Sequence, residues 1–407
     1  MQALYDTDFN PCLKCNACTV QCPVSAVTND FGGPKHLGPE LARFTSQQEF
    51  ILDPAIDLCT LCGTCDVTCP EGVHVAELTA SLKAVKAETE GTKFRDFVLS
   101  HAEYVGKAAS AFAPVTNTVM KIRPARIIME KVMGMEAERQ FPLYRFNHFK
   151  KQYKKKTADT ERKVAYFAGC YTTYNNPDIG NALVDVFSAN GIEVAMPDQK
   201  CCGVPMFANG QMKQGKKNAN YNVKSLLSYV DEGYDIVMSC TSCSMAVKKE
   251  YLHYLDTPEA HRLSESVYDA NEYLRNLMDN GEFNNNLAPV GESAAYYAPC
   301  HMKGQSMGNP AMDVLEQIPD YLISDAGADC CGQCGTFGFK KEKYSYSMKM
   351  GGKMSEAIAD LGRDQTVTEC GMCKNQLDQL TDKETLHPLQ ILQKSYQTAG
   401  ELAQANR

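Results

Sequence analysis

Long apolar runs, secretory features and nucleotide-binding motifs are what this chain has least of. Met1 to Asn10 begins acidic and holds no apolar segment, so it does not read as a secretory signal, and a cytoplasmic protein is expected. The longest uncharged run near the middle, Ala108 to Met120, has 13 residues with Pro114 and Pro124 close by. That is short of the roughly 20 apolar residues a membrane-crossing helix needs. No Walker motif, dinucleotide fingerprint or Ser-His-Asp order stands out. Positive charge is also scarce overall: the net charge is −8. Residues 121–163 are the exception, with 13 Lys or Arg against 5 Asp or Glu, which leaves the remainder at −16. Its aromatics, Tyr144, Phe146, Phe149 and Tyr153, do not form the repeated interleaving of a nucleic-acid groove, so no nucleic-acid partner is expected. A membrane surface or an acidic partner fits the segment better.

What the chain has in abundance is cysteine. Nineteen cysteines stand among 407 residues, a length sufficient for two or three domains. A reducing compartment disfavours a disulfide framework and leaves them available as metal ligands.

Near the N-terminus, Cys12-x2-Cys15-x2-Cys18-x3-Cys22-Pro23 is followed by Cys59-x2-Cys62-x2-Cys65-x3-Cys69-Pro70. This spacing with its proline is the bacterial ferredoxin signature, in which the fourth cysteine of each run serves the other cluster. The rule assigns Cys12, Cys15, Cys18 and Cys69 to one 4Fe-4S cubane, and Cys59, Cys62, Cys65 and Cys22 to a second. Structural zinc is the alternative, but zinc needs neither four cysteines per run nor the proline. The 36 residues between Cys22 and Cys59 exceed what a compact ferredoxin needs. Val75 to Glu88 has helical composition, with Val75, Leu78, Leu82 and Val85 on one face. This part resembles the α-helical ferredoxin domain of respiratory iron-sulfur subunits. Gly32-Gly33-Pro34 and Gly38-Pro39 are expected to be turns.

Phe94 to Ala113 has helix-compatible apolar spacing, and Ala125 to Met135 offers Ile127, Ile128, Met129, Val132 and Met133 beside Arg126 and Lys131. With Lys150, Lys151, Lys154, Lys155 and Lys156 nearby, one reading is an interfacial helix on anionic lipid. The other is a core or subunit-contact helix followed by a charged linker.

The remaining three fifths is a tandem duplication. Cys170, Cys201-Cys202, Cys240 and Cys243 recur as Cys300, Cys330-Cys331, Cys370 and Cys373, each 129 or 130 positions later. Adjacent cysteines are poor disulfide partners, because consecutive Cα atoms lie about 3.8 Å apart and bridged ones usually need about 4.4 Å or more. A vicinal pair therefore points to a shared metal, with Gly203 and Gly332 permitting the sharp bend that aims both sulfurs one way. Strands are expected at Val164 to Ala168, Ile192 to Met196 and Asp235 to Ser239, and again at Ala294 to Ala298, Tyr321 to Ser324 and Gln365 to Thr368. Helices between them include Met206 to Val230 and Tyr344 to Leu361. Such alternation implies a parallel sheet, with Cys170, Cys240, Cys300 and Cys370 beyond the carboxyl ends of strands. The polar stretch Asp279 to Glu292 is expected to join the copies as a loop. The fold class expected is α+β overall: an N-terminal α-helical ferredoxin domain, then two tandem α/β repeats with small parallel sheets. The boundaries are 1–92, a basic connector 93–163, and repeats 164–283 and 284–407.

Each copy resembles the cysteine-rich CCG domain found in the B subunits of heterodisulfide reductases and in iron-sulfur subunits for lactate and glycolate oxidation. Over nearly the whole chain it is similar to the C subunits of anaerobic glycerol-3-phosphate dehydrogenases. That likeness rests on Phe97-Val98-Leu99-Ser100-His101, Phe112-Ala113-Pro114-Val115-Thr116-Asn117-Thr118, Cys201 to Pro205 with Ala208-Asn209-Gly210, Pro299-Cys300-His301-Met302 and Gly338-Phe339-Lys340-Lys341-Glu342. The resemblance implies a non-cubane 4Fe-4S cluster at one or both CCG motifs, besides the two cubanes. It implies electron transfer from flavin-containing dehydrogenase subunits to quinone or a quinone-linked membrane component, on the cytoplasmic face of the inner membrane. It leaves open a thiol/disulfide redox enzyme like heterodisulfide reductase, or a lactate/glycolate oxidation complex. The nineteenth cysteine, Cys334, stands where the first copy has Pro205, and is either a small buried hydrophobe or an extra ligand or redox thiol. His301 is expected to donate a hydrogen bond near a ligand rather than to be one.

Overall fold

The computed structural model describes residues 11–45, 52–155 and 162–405; Met1 to Asn10 and Lys156 lie outside them. In the N-terminal region each cysteine run carries a short helix, Ala17–Val20 and Thr64–Thr68. The helix Val75–Glu90 follows, and its stripe Val75, Leu78 and Leu82 is buried. Leu78 and Leu82 pack on Leu41, Ala42 and Ile56. Gly38-Pro39 is not an open turn but part of a π-helical turn, His36–Glu40. A Cβ at Gly38 would stand 2.7 Å from Val75 Cγ1, so glycine lets this turn press against the long helix.

The connector departs from its sequence pattern in an instructive way. Phe94 to Ala113 is two helices, Phe94–Ser100 and Ala102–Ala111, separated at His101, whose Nδ1 lies 2.8 Å from the Phe97 carbonyl oxygen. Pro114 and Pro124 occupy the first turns of Ala113–Lys121 and Arg123–Met133, where a missing N–H costs nothing. No residue of Arg123–Met133 is buried, which removes the core-helix reading for that stretch. Beyond it the chain is anchored on the second repeat by Arg139. Its fully buried guanidinium donates to the Gly338 carbonyl oxygen at 2.8 Å and to Ser347 Oγ at 2.7 Å.

The first repeat forms β1 (Lys163–Tyr166), β2 (Glu193–Ala195), β3 (Asp235–Met238) and β4 (Val267–Asp269), in the order β2-β1-β3-β4. The second forms β5 (Ala294–Tyr296), β6 (Ile323–Asp325), β7 (Gln365–Val367) and β8 (Thr385–Leu386), in the order β6-β5-β7-β8. All pairings are parallel; Ala165 faces Ile236 in one sheet and Ala295 faces Thr366 in the other. The fold is thus α+β overall, a helical N-terminal region before two small parallel sheets. Each sheet has one more strand than the sequence suggests: β4, which runs directly into the helix Ala270–Asp279, and β8, of only two residues. The helix expected from Met206 to Val230 is broken into Val204–Ala208 and Met212–Asp231. Between them Gly210 adopts φ +72°, and a Cβ there would meet the Lys83 carbonyl oxygen at 2.3 Å. Close approach of the N-terminal helix dictates the break.

The two repeats are interlocked. The C-terminal helix Pro388–Ala405 of the second lies on Pro177–Ala189 of the first, while Ala270–Asp279 of the first lies on Pro310–Leu315 of the second. One continuous core results, running from Val164, Leu183 and Phe187 through Leu274 to Val314, Val367 and Leu392.

Candidate metal centres

In the two N-terminal loops the same offsets turn left-handed: Lys14 (φ +61°) and Leu61 (+54°), then Asn16 (+66°) and Gly63 (+75°). Such turns aim successive backbone amides into the loop, a cradle for an anionic centre. Cys12, Cys15 and Cys18 line one cavity together with Cys69, which arrives from the other run. Burial pushes the Cys18 thiol up, and the nearby Cys12 and Cys69 add to the shift. Cys22 makes the reverse crossing to Cys59, Cys62 and Cys65. Burial raises the Cys59 thiol, lifts Cys62 to about 12 and drives Cys65 well above the ordinary thiol range. Repulsion from neighbouring thiols, Cys22 among them for Cys59 and Cys62, adds to this.

The vicinal pairs lie beyond the carboxyl ends of the sheets. Cys170 and Cys240 follow the adjacent central strands β1 and β3, and Cys300 and Cys370 follow β5 and β7. That is the point where strand order reverses and open sheets bind ligands. Gly203 (φ +93°) and Gly332 (+79°) make the bends after the pairs. In the first repeat the sulfurs form a chain: Cys170 against Cys201, Cys201 against Cys202, Cys202 3.5 Å from Cys243, and Cys243 against Cys240. Cys201 is held well below the usual thiol range, first by the Cys170 thiol and then by Cys202. Cys240 caps the helix Thr241–Met245 and is brought down to about 7 by the Cys243 thiol and by backbone amides. In the second repeat Cys330 lies against Cys331, whose sulfur is 3.2 Å from Cys373, and Cys373 lies against Cys370.

Cys300 is buried near Cys62, Cys334, Cys331 and Cys370: burial pushes its thiol up, and those four thiols add to the shift. The sulfur beside Cys330 is Cys334, at 3.4 Å.

These donors suit a metal–sulfur centre. All nineteen cysteines are free thiols. Sulfur separations of 3.2–3.5 Å exceed the roughly 2.05 Å of a disulfide. They approach the roughly 3.8 Å expected between tetrahedral ligands on metal–sulfur bonds of about 2.3 Å. Burial without a cation opposes the thiolate form, and a cationic centre among the sulfurs removes that cost. Among the buried hydroxyls without a partner among the described residues are Thr241 Oγ1 beside Cys240 and the Tyr297 hydroxyl, near Cys331, Cys373, Cys330 and Cys300.

His301, expected as a hydrogen-bond donor beside a ligand, takes that part, whereas Lys83, His74, Glu77 and His253 escaped the sequence. His301 joins three units: its Nδ1 lies 2.8 Å from Ser242 Oγ of the first repeat, and its Nε2 3.3 Å from the Leu61 carbonyl oxygen of the N-terminal loop. A carbonyl only accepts, so Nε2 carries the proton and Nδ1 accepts from Ser242. Lys83, buried under that loop, donates to the carbonyl oxygens of Cys59 at 2.6 Å and Ala208 at 3.3 Å. Its only signal is a lysine beside an apolar stripe. His74, Glu77 and His253 gather between the N-terminal region and the first repeat, with His253 Nδ1 3.2 Å from Glu77 Oε2. Burial lifts Glu77 to about 7 and lowers His253 to about 4, so in mildly acidic solution this contact is a neutral hydrogen bond.

Comparison with known proteins agrees with this arrangement. A cysteine-rich domain family matches residues 164–248 and again 294–378, and a 4Fe-4S dicluster domain family matches residues 8–73. The C subunit of the anaerobic glycerol-3-phosphate dehydrogenase of Escherichia coli K12 is 32% identical over 392 residues, covering 95% of this chain and 98% of that protein. The B subunit of the fumarate reductase (CoM/CoB) of Methanothermobacter marburgensis is 25% identical, covering 94% of this chain and 70% of its own. Lactate utilization protein A 2 of Bacillus cereus AH820 is 25% identical over 46% of this chain and 78% of its own. The chain, an iron-sulfur protein with a dicluster domain and two cysteine-rich repeats, therefore belongs to the family of anaerobic glycerol-3-phosphate dehydrogenase C subunits.

Proposed function

We propose that this chain is the electron-transfer subunit of an anaerobic respiratory dehydrogenase. Its donor is a flavin-containing glycerol-3-phosphate dehydrogenase partner and its acceptor membrane quinone or a quinone-linked component. Cys12, Cys15, Cys18 and Cys69 hold one cubane 4Fe-4S cluster, and Cys22, Cys59, Cys62 and Cys65 the second. Cys170, Cys201, Cys202, Cys240 and Cys243 hold a non-cubane cluster, and Cys300, Cys330, Cys331, Cys370 and Cys373 another. When bound, such clusters supply one-electron carriers whose potentials follow burial and hydrogen bonding.

The observation that carries this reading is the contact of one ferredoxin loop with both repeats. Leu61 packs into the core that contains Cys201, Cys202 and Cys243, while Cys22 and Cys59 share an apolar cluster with Cys330 and Cys334. The chain's own residues thus exclude water between three thiol groups and hold them in fixed register.

The connector supports attachment to the inner face of the membrane. Phe112 (69% exposed), Ile128 (63%) and Val132 (77%) project from its helices, with Lys121, Arg123 and Lys131 along the same stretch. Apolar anchors with basic neighbours suit an anionic lipid surface. Among the described residues no helix is long and apolar enough to cross a bilayer.

The test is anaerobic purification from a native source. Co-purifying flavin subunits, and clusters that glycerol 3-phosphate reduces, support the proposal. An isolated chain that turns over disulfides with reduced viologen, without flavin partners, would establish the heterodisulfide-type chemistry instead.

A further inference from the structure

The two repeats are not equivalent in how their sulfurs are strung together. In the first, the order of contacts is Cys170, Cys201, Cys202, Cys243, Cys240. In the second it is Cys334, Cys330, Cys331, Cys373, Cys370. Cys334 thus stands beside Cys330 as Cys170 stands beside Cys201, while Cys300, the counterpart of Cys170 by sequence, stays near Cys331 and Cys370 as well as Cys62 and Cys334.

The backbone is built to place this extra sulfur. The first repeat has Pro205 at the matching position, in the opening turn of Val204–Ala208, with φ confined near −65° by its ring. Cys334 has φ +45°, a left-handed conformation costly for any residue with a Cβ. The same turn ends on Gly335 at φ +60° and leads into the short 3-10 helix Phe337–Phe339 rather than an α-helix. A non-glycine residue held left-handed with its sulfur 3.4 Å from a vicinal cysteine is placed for its side chain, not for the turn. Cys334 also packs with Cys22 and Cys59, so it occupies the wall between the second vicinal pair and the ferredoxin-type loop. The Tyr297 hydroxyl, which has no partner among the described residues and whose counterpart in the first repeat is Phe167, lies near Cys331, Cys373, Cys330 and Cys300.

We infer that Cys334 is an iron ligand of the second vicinal-cysteine site, making that centre a six-thiol site distinct from the five-thiol site of the first repeat. This rests on the proposal that the second repeat holds a cluster. The ligand role requires the sulfur as thiolate, and its proton leaves to solvent when the metal centre assembles.

The experiment uses the full chain, purified anaerobically with its clusters. Iodoacetamide is added, and every cysteine is mapped by mass spectrometry before and after iron is stripped by a chelator. Cys334 should remain unmodified while iron is bound and become modified once it is removed. EPR and Mössbauer spectra of Cys334→Ser should show one non-ferredoxin signal altered or lost, with iron falling by up to about a quarter, four irons of about 16. Cys334 alkylated in the iron-replete chain would overturn the inference, as would Cys334→Ser with full iron and unchanged spectra. A wild-type chain holding only about 8 irons with ferredoxin-type signals would instead overturn the cluster reading of the repeats, and this inference with it.

Discussion

His301 Nε2 lies 3.3 Å from the Leu61 carbonyl oxygen, across 240 positions of sequence. Because the opposite ring nitrogen takes the Ser242 hydroxyl at 2.8 Å, one imidazole registers the ferredoxin-type loop, the first repeat and the second repeat against one another. Replacing it with alanine removes both bonds and leaves a buried carbonyl and hydroxyl to find new partners. His301→Ala should lose about 1–3 kcal/mol of stability. It should also weaken the magnetic coupling between reduced clusters, seen as narrower EPR lines at unchanged iron content. Unchanged line shapes would show that the imidazole does not set cluster spacing.

The glycines after the two vicinal pairs are not equally replaceable. A Cβ at Gly332 would stand 2.1 Å from the Ser347 carbonyl oxygen and 2.9 Å from the Gly351 nitrogen, both backbone atoms that cannot move aside. At Gly203 the nearest atom is Phe207 Cε2 at 2.8 Å, a side-chain atom, and the nearest backbone atom, the Gly215 carbonyl oxygen, is 3.5 Å away. Gly332→Ala should cost more than about 3 kcal/mol and Gly203→Ala distinctly less, since left-handed strain alone is roughly 1–2 kcal/mol. Thermal melts of the two variants decide it.

Tyr297 has a buried hydroxyl with no partner among the described residues, facing the thiols of the second repeat, where the first repeat has Phe167. A hydroxyl donating to an anionic cluster favours its reduced form. Tyr297→Phe should lower the midpoint potential of one non-ferredoxin centre by about 20–60 mV, the equivalent of a hydrogen bond worth about 0.5–1.5 kcal/mol. An EPR-monitored redox titration gives the answer, and an unmoved potential would mean the hydroxyl contacts no cluster.

His387 is buried with Nε2 2.8 Å from the Ser239 carbonyl oxygen and Nδ1 accepting from Leu389 N, so it is neutral, and burial lowers its pKa to about 4. The unfolded chain takes up this proton near pH 6.5 and the native chain only near 4, so its contribution to stability is complete above 6.5 and falls as pH drops through that window. The loss should reach roughly 2 kcal/mol by pH 5. Glu77 and Asp269, which burial lifts to about 7, act in the opposite sense by destabilising the native state as pH rises. Comparing wild type with His387→Gln cancels them: the difference in Tm between the two should shrink between about pH 7.5 and 5.

Ile128 and Val132 lie on the exposed helix Arg123–Met133, whose C-terminal Gly134 carbonyl accepts from Arg95 at 3.0 Å. Charged residues at those tips should abolish lipid binding without disturbing the fold. Ile128→Glu with Val132→Glu is expected to reduce low-salt flotation with anionic liposomes at least about tenfold, as each apolar side chain withdrawn from lipid forfeits on the order of 1.5 kcal/mol. Equal flotation of variant and wild type would assign this face to a protein partner.

Much of the molecule was legible because it is written in local spacing. The two cysteine runs announce their loops, since a wrap around a small centre tolerates only two-residue gaps. The duplication announces two sheets of one design, and Gly203 and Gly332 announce their bends. Tertiary structure decided the rest. The strand β8 has too few residues to carry a period, and both it and β4 form on the edge that a neighbouring strand offers. Gly210 ends a helix only because the Lys83 carbonyl presses on it, and Pro388–Ala405 finds its place on a helix some 200 positions earlier because that face is the apolar surface left to cover. Cys334 is the sharpest case: spacing matches it with Pro205 of the first copy, yet the backbone turn there puts its sulfur beside Cys330. Sequence distance counts bonds along the chain, while ligand sets are chosen by distance through space.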